Sequence, residues 1–428
     1  MKNVLSKVAL AALAAAGGTV ALASTAHAQD VTQSWTGTVA EDRAGEARFK
    51  MRGRLQYDVY SNEWDAPGGS VDTEDGTRSY IRRAFLGVQG RFSDNWRYKV
   101  DFVLNPGASV DDATTGDQAV AVDDAYLEYA GDFFSVVIGE NNVTSPMEDR
   151  TSSLDIPFIE RSSIINAYGY GRAAGVAGLV TGANWMAAFG VYGDSLNNSD
   201  SGFTNSEQTS ISGRFTWAPI FETSPEGVTL LHLGVSARQR YNGDDSLYRY
   251  RARPLNGRGS RWVEAGSGAG STAESDISYG FEVSGQYNAF GFTAEYITLE
   301  GETTAGGELE SDGYYVDLTW SLTGEARSYR GNQGSFGPVA PEHPITEGGL
   351  GHWGLIARYD YIDLSDLDFG GARGEQTAWG LGVNWVPIDH VRFMLNYADT
   401  EADRVNNVPV NSPDADAQVI SLRTQFDF

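Results

Sequence analysis

Lys50, Arg52 and Arg54 alternate with Phe49, Met51 and Leu55. In an extended chain successive side chains point to opposite faces, so the three cations stack along one face while apolar residues, continued by Tyr57 and Val59, cover the other. Arginine in such a row grips phosphate-type anions with two parallel N–H donors and keeps its charge at any working pH. The same alternation turns Arg83, Arg91, Arg97, Lys99, Arg214, Arg238, Arg240, Arg358, Arg392 and Arg423 to the same side, together with the acids Asp58, Asp101, Asp124, Glu128, Glu282, Glu295, Asp317 and Asp360. Roughly a dozen cations against fewer acids predicts an electropositive inner surface. Lys50, Arg52, Arg54, Arg83, Arg97 and Lys99 are where the excess is densest, and Arg214, Arg238 and Arg240 extend the row. The alternative for each arginine is an ion pair with an inward carboxylate that holds a wall together and touches no solute.

Other chemistries find less support. Beyond the first 28 residues the histidines are His232, His343, His352 and His390. No serine and histidine constellation can be drawn from them, so no enzyme and no cofactor are expected. Gly169 to Gly175 misses the dinucleotide-binding spacing by one and opens a strand rather than a helix. The acidic clusters Asp72 to Asp75, Asp111 to Asp117, Asp194 to Asp200 and Glu401 to Asp403 suit Ca²⁺ by ligand type but have no defined loop geometry, so they read as solvated loops and no metal site is assigned. A net charge of -26 disfavours nucleic acid and anionic surfaces as partners.

The elements that position the cations are strands. Period-two alternation marks about sixteen of them between Arg48 and Phe428, each long enough to cross a bilayer at a tilt. They cover approximately residues 48–60, 78–92, 95–105, 119–130, 132–141, 172–182, 183–193, 207–219, 228–241, 276–288, 290–301, 311–323, 351–363, 374–387, 389–400 and 416–428. Short turns such as Ser93-Asp94-Asn95, Gly131-Asp132, Asn288-Ala289 and Pro387-Ile388-Asp389 alternate with long polar connections, the asymmetry between periplasmic turns and external loops. The last strand runs from Val419 to Phe428 with Ile420, Leu422, Phe426 and Phe428 on one face, as bacterial outer-membrane barrels habitually end. At the other terminus Lys2 and Lys7, an apolar run from Val8 to Ala23 and Ala26-His27-Ala28 make a signal peptide over residues 1–28. Residues 29–47 are then a short periplasmic segment and 48–428 an all-β transmembrane antiparallel barrel. No later apolar run reaches transmembrane-helix length, and a closed barrel is the other way to satisfy every backbone group in lipid. The absence of cysteine fits passage through an oxidising periplasm.

Two connections break the pattern. Asn141 to Gly171 carries Met147, Leu154, Ile156, Phe158 and Ile159, which a purely external loop has no use for, and is expected to fold into the barrel as a constriction. Its cations Arg150 and Arg161 sit beside Asp149 and Glu160, and Glu148 is near, so a pair within the loop and a contact with solute are equally open. Gly324 to Leu350 falls where a short periplasmic turn belongs, yet is long and rich in glycine and proline.

Gly139-Glu140-Asn141, Ser145-Pro146-Met147-Glu148-Asp149-Arg150-Thr151-Ser152-Ser153 and Phe158-Ile159-Glu160-Arg161-Ser162 resemble the constriction-loop signature of the phosphate-selective porin O/P family. So do Gly324-Glu325-Ala326-Arg327-Ser328-Tyr329-Arg330 and Gly334-Ser335-Phe336-Gly337-Pro338-Val339-Ala340-Pro341, leading into Trp353 to Tyr359 and Tyr361 to Leu364. With Arg82-Arg83-Ala84 and Phe428 the resemblance covers the chain from the first strand to the last. It implies a sixteen-stranded homotrimeric outer-membrane channel for anions, plausible solutes being phosphate or polyphosphate, surrounded by membrane lipid and lipopolysaccharide. The family's tight phosphate channels use loop lysines, whereas Lys50 and Lys99 are the lysines left beyond the signal. Anion passage without tight phosphate binding is therefore expected. The alternatives are a weakly selective general porin and, in a different class, an anchoring protein whose acidic loops bind cations.

Overall fold

A strand in lipid must find partners for its N–H and C=O groups on both edges, so a sheet that crosses a membrane has to close on itself. The computed structural model describes residues 31–34, 37–41, 48–65, 76–104, 120–196, 208–224, 227–242, 249–258, 261–266, 273–368, 372–406 and 414–428. Its wall strands are β1 (Arg48–Asp65), β2 (Gly76–Arg91), β3 (Trp96–Leu104), β4 (Val120–Ala130), β5 (Phe134–Asn142), β6 (Arg172–Thr181), β7 (Trp185–Tyr192) and β8 (Thr209–Ser224). They continue as β9 (Gly227–Tyr241), β10 (Ala273–Tyr287), β11 (Phe290–Thr303), β12 (Glu308–Ser321), β13 (His352–Asp363), β14 (Ala372–Ile388), β15 (Val391–Asn406) and β16 (Asp414–Asp427). Each pairs antiparallel with the next, and β16 pairs back onto β1 from Asp416 opposite Asp65 to Asp427 opposite Arg54. All sixteen expected strands are present, several extended by a few residues at their ends, as β1 is to Asp65. A small hairpin, Val31–Ser34 with Gly37–Glu41, pairs with β1 at Arg48 to Lys50. Residues 1–28, expected as a signal peptide, Asp72, Glu74 and Asp75, Asp111 to Asp117 and the end of the Asp194 to Asp200 cluster lie outside the described residues.

The outer face carries the apolar half of each alternation, including Met51, Leu86, Phe102, Ile138, Val176, Phe189, Phe215, Phe281, Leu318 and Leu381, all exposed to the lipid side. Aromatic residues gather at the short-turn end, where Phe290 stacks on Trp320 and Trp353 on Trp385 at 5.5 and 5.4 Å between ring centroids. Such amphipathic rings belong at the membrane–water boundary.

Strict alternation fails at two places that matter for the lumen. Between β1 and β2 the register passes from Gln56 opposite Arg83 to Tyr57 opposite Ile81, so Arg82 is an extra residue in a β-bulge. Between β3 and β4 it passes from Asp101 opposite Asp124 to Phe102 opposite Val122, which makes Asp123 extra. A bulge bends its strand and re-aims side chains. Here it turns both Arg82 and Arg83, and both Asp123 and Asp124, into the barrel.

Phe428 adds the final rung to the seam that closes the sheet. Phe428 N–H donates to Gly53 O and Gly53 N–H to Phe428 O, both at 3.1 Å. The Phe428 ring covers Gly53 so closely that a Cβ there would stand 2.4 Å from it, so a larger residue would have to displace the ring. Deleting Phe428 removes both hydrogen bonds and the ring, a loss of about 2 kcal/mol at the seam. The folded form in an unheated SDS gel is expected to unfold at a lower temperature, while Phe428→Tyr keeps the behaviour of the parent chain.

Candidate functional site in the lumen

The connection from Asn142 to Arg172 folds into the barrel, as its apolar residues predict. It holds two short helices, α1 (Met147–Arg150) and α2 (Ser163–Ala167). Met147, Ile156, Phe158, Ile159, Ile164 and Tyr168 are buried, several against inward residues of the wall such as Tyr315 and Ile356. A backbone taken out of water must have its polar groups satisfied, and wall side chains do this. Glu295 accepts from the N–H groups of Met147 and Glu148 at 2.9 and 2.7 Å, and Glu282 also accepts from Met147 at 2.8 Å. Asn396 accepts from Ile159 and Asp360 from Ser163. The loop carbonyls are met in turn by Gln56 at Ser153, by Arg392 and Gln425 at Leu154, by Asn384 at Pro157, and by Arg423 at Ile159.

Two loop carboxylates act as clamps. Glu148 receives Arg358 at 2.6 Å, and Arg358 is bidentate to Asp317 on its own wall. Glu160 receives Arg82 through two hydrogen bonds at 2.8 and 2.9 Å and Arg423 at 3.0 Å, while Arg423 is bidentate to Asp58. Burial pushes the Glu160 carboxyl up, but the charge and hydrogen bonds of Arg82, with Arg423 and Arg83 behind them, outweigh it and hold the group well below the ordinary carboxylate range. Neither loop cation pairs with the acid beside it. Arg161 donates to the carbonyls of Glu148, Asp149 and Thr151 and reaches the Asp149 carboxylate at 3.9 Å, and Arg150 donates to Asn142 O at 3.4 Å.

The long turn from Gly324 also enters the lumen, from the opposite end. A two-residue hairpin of Tyr329–Arg330 and Ser335–Phe336 carries it inward, where Arg214 donates to the carbonyls of Gln333 and Gly334 at 2.9 and 2.6 Å. Tyr329 meets His232 at 2.7 Å, and Phe336 packs with Met147 of α1. At its base Glu325 accepts from Ser321, Thr323 and His352 and from Glu342 N–H. Burial raises the Glu325 carboxyl, yet these donors bring it down to about 2.

Between the constriction loop and the short turns lies a cavity of about 870 Å³, reaching from Asn141, Arg150 and Arg161 to Ala289 and His390. Among the described residues it is lined by ten arginine and lysine side chains (Arg52, Arg54, Arg83, Lys99, Arg150, Arg161, Arg172, Arg327, Arg330 and Arg392) against six carboxylates. Arg54 donates to Ser153 Oγ at 2.8 Å and stacks over Phe85, Arg52 and Arg83 donate to the neutral Gln89 and Gln56, and Lys99 pairs with Asp124.

Other sequence candidates sit elsewhere. Arg214 is buried on Glu282, Arg240 on Asp276, and Arg238 donates to the carbonyls of Tyr168 and Gly169. Lys50 is half-buried near the start of β1 and Arg97 is exposed at the start of β3, and neither lines the cavity. Glu148 and Glu160 are consumed by the clamps. For Arg240, Arg358 and Arg423 the ion-pair alternative holds, with the carboxylate on the adjacent strand, which a face assignment by itself does not reveal. Arg82 and Asp123 escaped it because a bulge leaves no mark in a period-two pattern, and Arg327 and Arg330 because a turn was not expected inside the barrel.

The family model described as phosphate-selective porin O and P matches residues 49–428. A Caulobacter vibrioides protein without an assigned function is 31% identical over 409 residues, 92% of this chain and 77% of that one, and Porin O of Pseudomonas aeruginosa is 26% identical over 453 residues, 96% and 97% of the two chains. Among solved structures the fold is similar to an anion-selective porin from Comamonas acidovorans, with a TM-score of 0.53 at 12% identity covering 90% of this chain and 100% of that one. It is also similar to the trimer form of OmpT of Vibrio cholerae, with a TM-score of 0.54 at 13% identity and the same coverage.

Glu160→Gln takes the carboxylate from the partly exposed Arg82 and leaves Arg423 with Asp58 alone, a cost of about 1–3 kcal/mol. Single-channel recordings are expected to show a noisier and larger conductance as the loop loosens. Because the folded-state carboxyl is depressed, its contribution is fully present above the ordinary carboxylate range and lost only as pH falls below it. The Glu160 clamp is therefore expected to hold from pH 7 down to that range, so that the difference in conductance noise between the parent channel and Glu160→Gln stays constant across it.

Proposed function

Since the chain belongs to the phosphate-selective porin O and P family, we propose that it is an outer-membrane porin through which small anions, phosphate among them, diffuse passively. The observation that carries this reading is the cavity, where cations exceed carboxylates in a chain whose net charge is -26. A permeating ion responds to charges within about a Debye length, roughly 8–10 Å at physiological salt, and to those in a low-dielectric lumen most of all. The wall arginines therefore dominate over acids carried on distant loops. Arg52, Arg54 and Arg83 are the residues assigned to the anion path, since each lines the cavity with a neutral hydrogen-bond partner, Arg52 also having the Asp101 carboxylate at 3.5 Å. Lys99 and Arg172 share Asp123 and Asp124 and contribute less. The carboxylates that remain in the lining, and the absence of a lysine from the constriction loop, favour moderate selectivity over tight binding of phosphate.

The channel reading extends to assembly and chemistry. A homotrimer in the outer membrane is proposed on family membership, with OmpT as a trimeric relative in fold. No catalytic role is proposed: the inward His232 is held between Tyr329 and Glu282, and both partners are themselves buried or packed in the inserted turn.

Replacing Arg52 and Arg54 together with alanine is expected to lower the anion-to-cation permeability ratio several-fold, whereas neutralising Asp72, Glu74 and Asp75 changes it little. Reversal potentials in a KCl gradient across a planar bilayer measure both. Cation preference in the unmodified channel would overturn the proposal in favour of a general diffusion porin, and a native mass in detergent equal to one chain would remove the trimer.

A further inference from the structure

The outer wall of the barrel is not uniformly smooth. From β9 to β14 it sinks into a groove of about 710 Å³, lined without a charged group among the described residues. Two features open it. The Phe292 ring lies across Gly285 on β10, where a Cβ would stand 2.4 Å from it, so the ring is turned away from its other cross-strand neighbour, Leu318 on β12. Farther along, Ala357 on β13 brings only a methyl group between Leu355 and Leu381. The groove starts at Tyr287 and Phe290, which bound the short turn between β10 and β11, and at Trp320 near the end of β12, and it reaches Leu381 in the middle of β14. It therefore runs from the ring of aromatic residues at the periplasmic boundary toward the middle of the bilayer.

Two occupants compete for such a groove, a second copy of the chain and a hydrocarbon chain of the membrane. The strands that form it carry exposed Glu300, Glu302, Glu310 and Glu375 toward their opposite ends. The centre of an interface between protein chains is depleted of charge, so this side of the barrel suits the membrane. Lipid tails are as apolar as leucine, and what holds one against a protein is close packing. A smooth wall touches a tail along one side and lets it exchange freely. A groove touches it on three.

We propose that this groove binds one acyl chain of a phospholipid of the periplasmic leaflet. The tail lies beside Leu318, Leu355 and Ala357 and points toward Leu381, and the headgroup stands at the level of Tyr287 and Trp320, whose polar tips face the boundary. Its volume is in the range of sites that hold a small ligand. Recognition comes from the tail, since the lining offers no charge to a headgroup. The site rests on the outer-membrane placement of the barrel and is independent of its anion selectivity.

Native mass spectrometry of the full-length protein, stripped of lipid in detergent and titrated with palmitoyl-oleoyl phosphatidylethanolamine, tests the site. The parent is expected to keep one phospholipid per chain. Ala357→Phe, which puts a ring into the groove, is expected to weaken that binding several-fold, whereas Val235→Phe, which adds the same ring to the exposed outer wall outside the groove, leaves it unchanged. Should Ala357→Phe fail to fold, Leu355→Trp supplies the same reading. Phosphatidylglycerol is expected to bind as well as phosphatidylethanolamine. No retained lipid on the parent, equal effects of the two phenylalanine variants, or a strong headgroup preference overturns the site. So does a smaller oligomer in Ala357→Phe with lipid binding intact, which gives the groove to a second copy. A protein that does not fractionate with the outer membrane would sink the parent reading, whereas a barrel in that membrane without a retained lipid sinks this site alone.

Discussion

A charge turned into the interior of a barrel must meet an opposite charge or water, because an ion left buried and unpaired costs several kcal/mol. Much of the lumen follows from that requirement. Arg358 and Arg423 are each bidentate to a carboxylate on a neighbouring strand, Asp317 and Asp58, and each still has a donor to spare. The constriction loop takes up those spare donors with Glu148 and Glu160. Wall and loop are thereby locked together: the loop cannot leave without stranding buried arginines, and the arginines have their full set of partners only while the loop is in place. The apolar residues Phe158, Ile159 and Ile164 add burial to this framework, but burial alone does not say where along the wall a loop stops.

Pairing also decides what the lumen offers to a solute. Arginines matched by wall carboxylates disappear into the structure, as Arg214 and Arg240 do. Of those left facing the cavity, Arg54, Arg83 and Arg327 donate to serine, glutamine or a backbone carbonyl, and Arg52 to a glutamine with Asp101 at 3.5 Å, so positive charge with the fewest carboxylate partners gathers on β1, β2 and the inserted turn. A strongly acidic chain can therefore enclose an electropositive path, since whole-chain charge and local charge are different quantities.

The strand pattern was readable in advance because two constraints act on it at once. Lipid on one face and solvated or paired polar groups on the other impose a period of two along each of the sixteen strands, and that period survives in the order of residues. The inward fold of the connection between β5 and β6 was also readable, since Met147, Ile156 and Phe158 have no place in an exposed loop. The interior was less legible. Arg82 and Asp123 enter it through bulges, and the segment after Gly324 enters it although its position in the strand order marks it as a turn.

From the order of residues alone came the barrel, its strand number, its outer face and the list of charges on its inner one, because each of these is a property of a strand and its nearest neighbours. Which charges stay available was decided by the tertiary structure. Arg52 and Arg214 are alike in sequence terms, each a cation on the inward face of an alternating strand. One meets a glutamine with an aspartate at 3.5 Å, the other a buried glutamate and two carbonyls of a distant turn. Partners brought together across the lumen by closure of the sheet leave no local signature, and electrostatic availability depends on those partners.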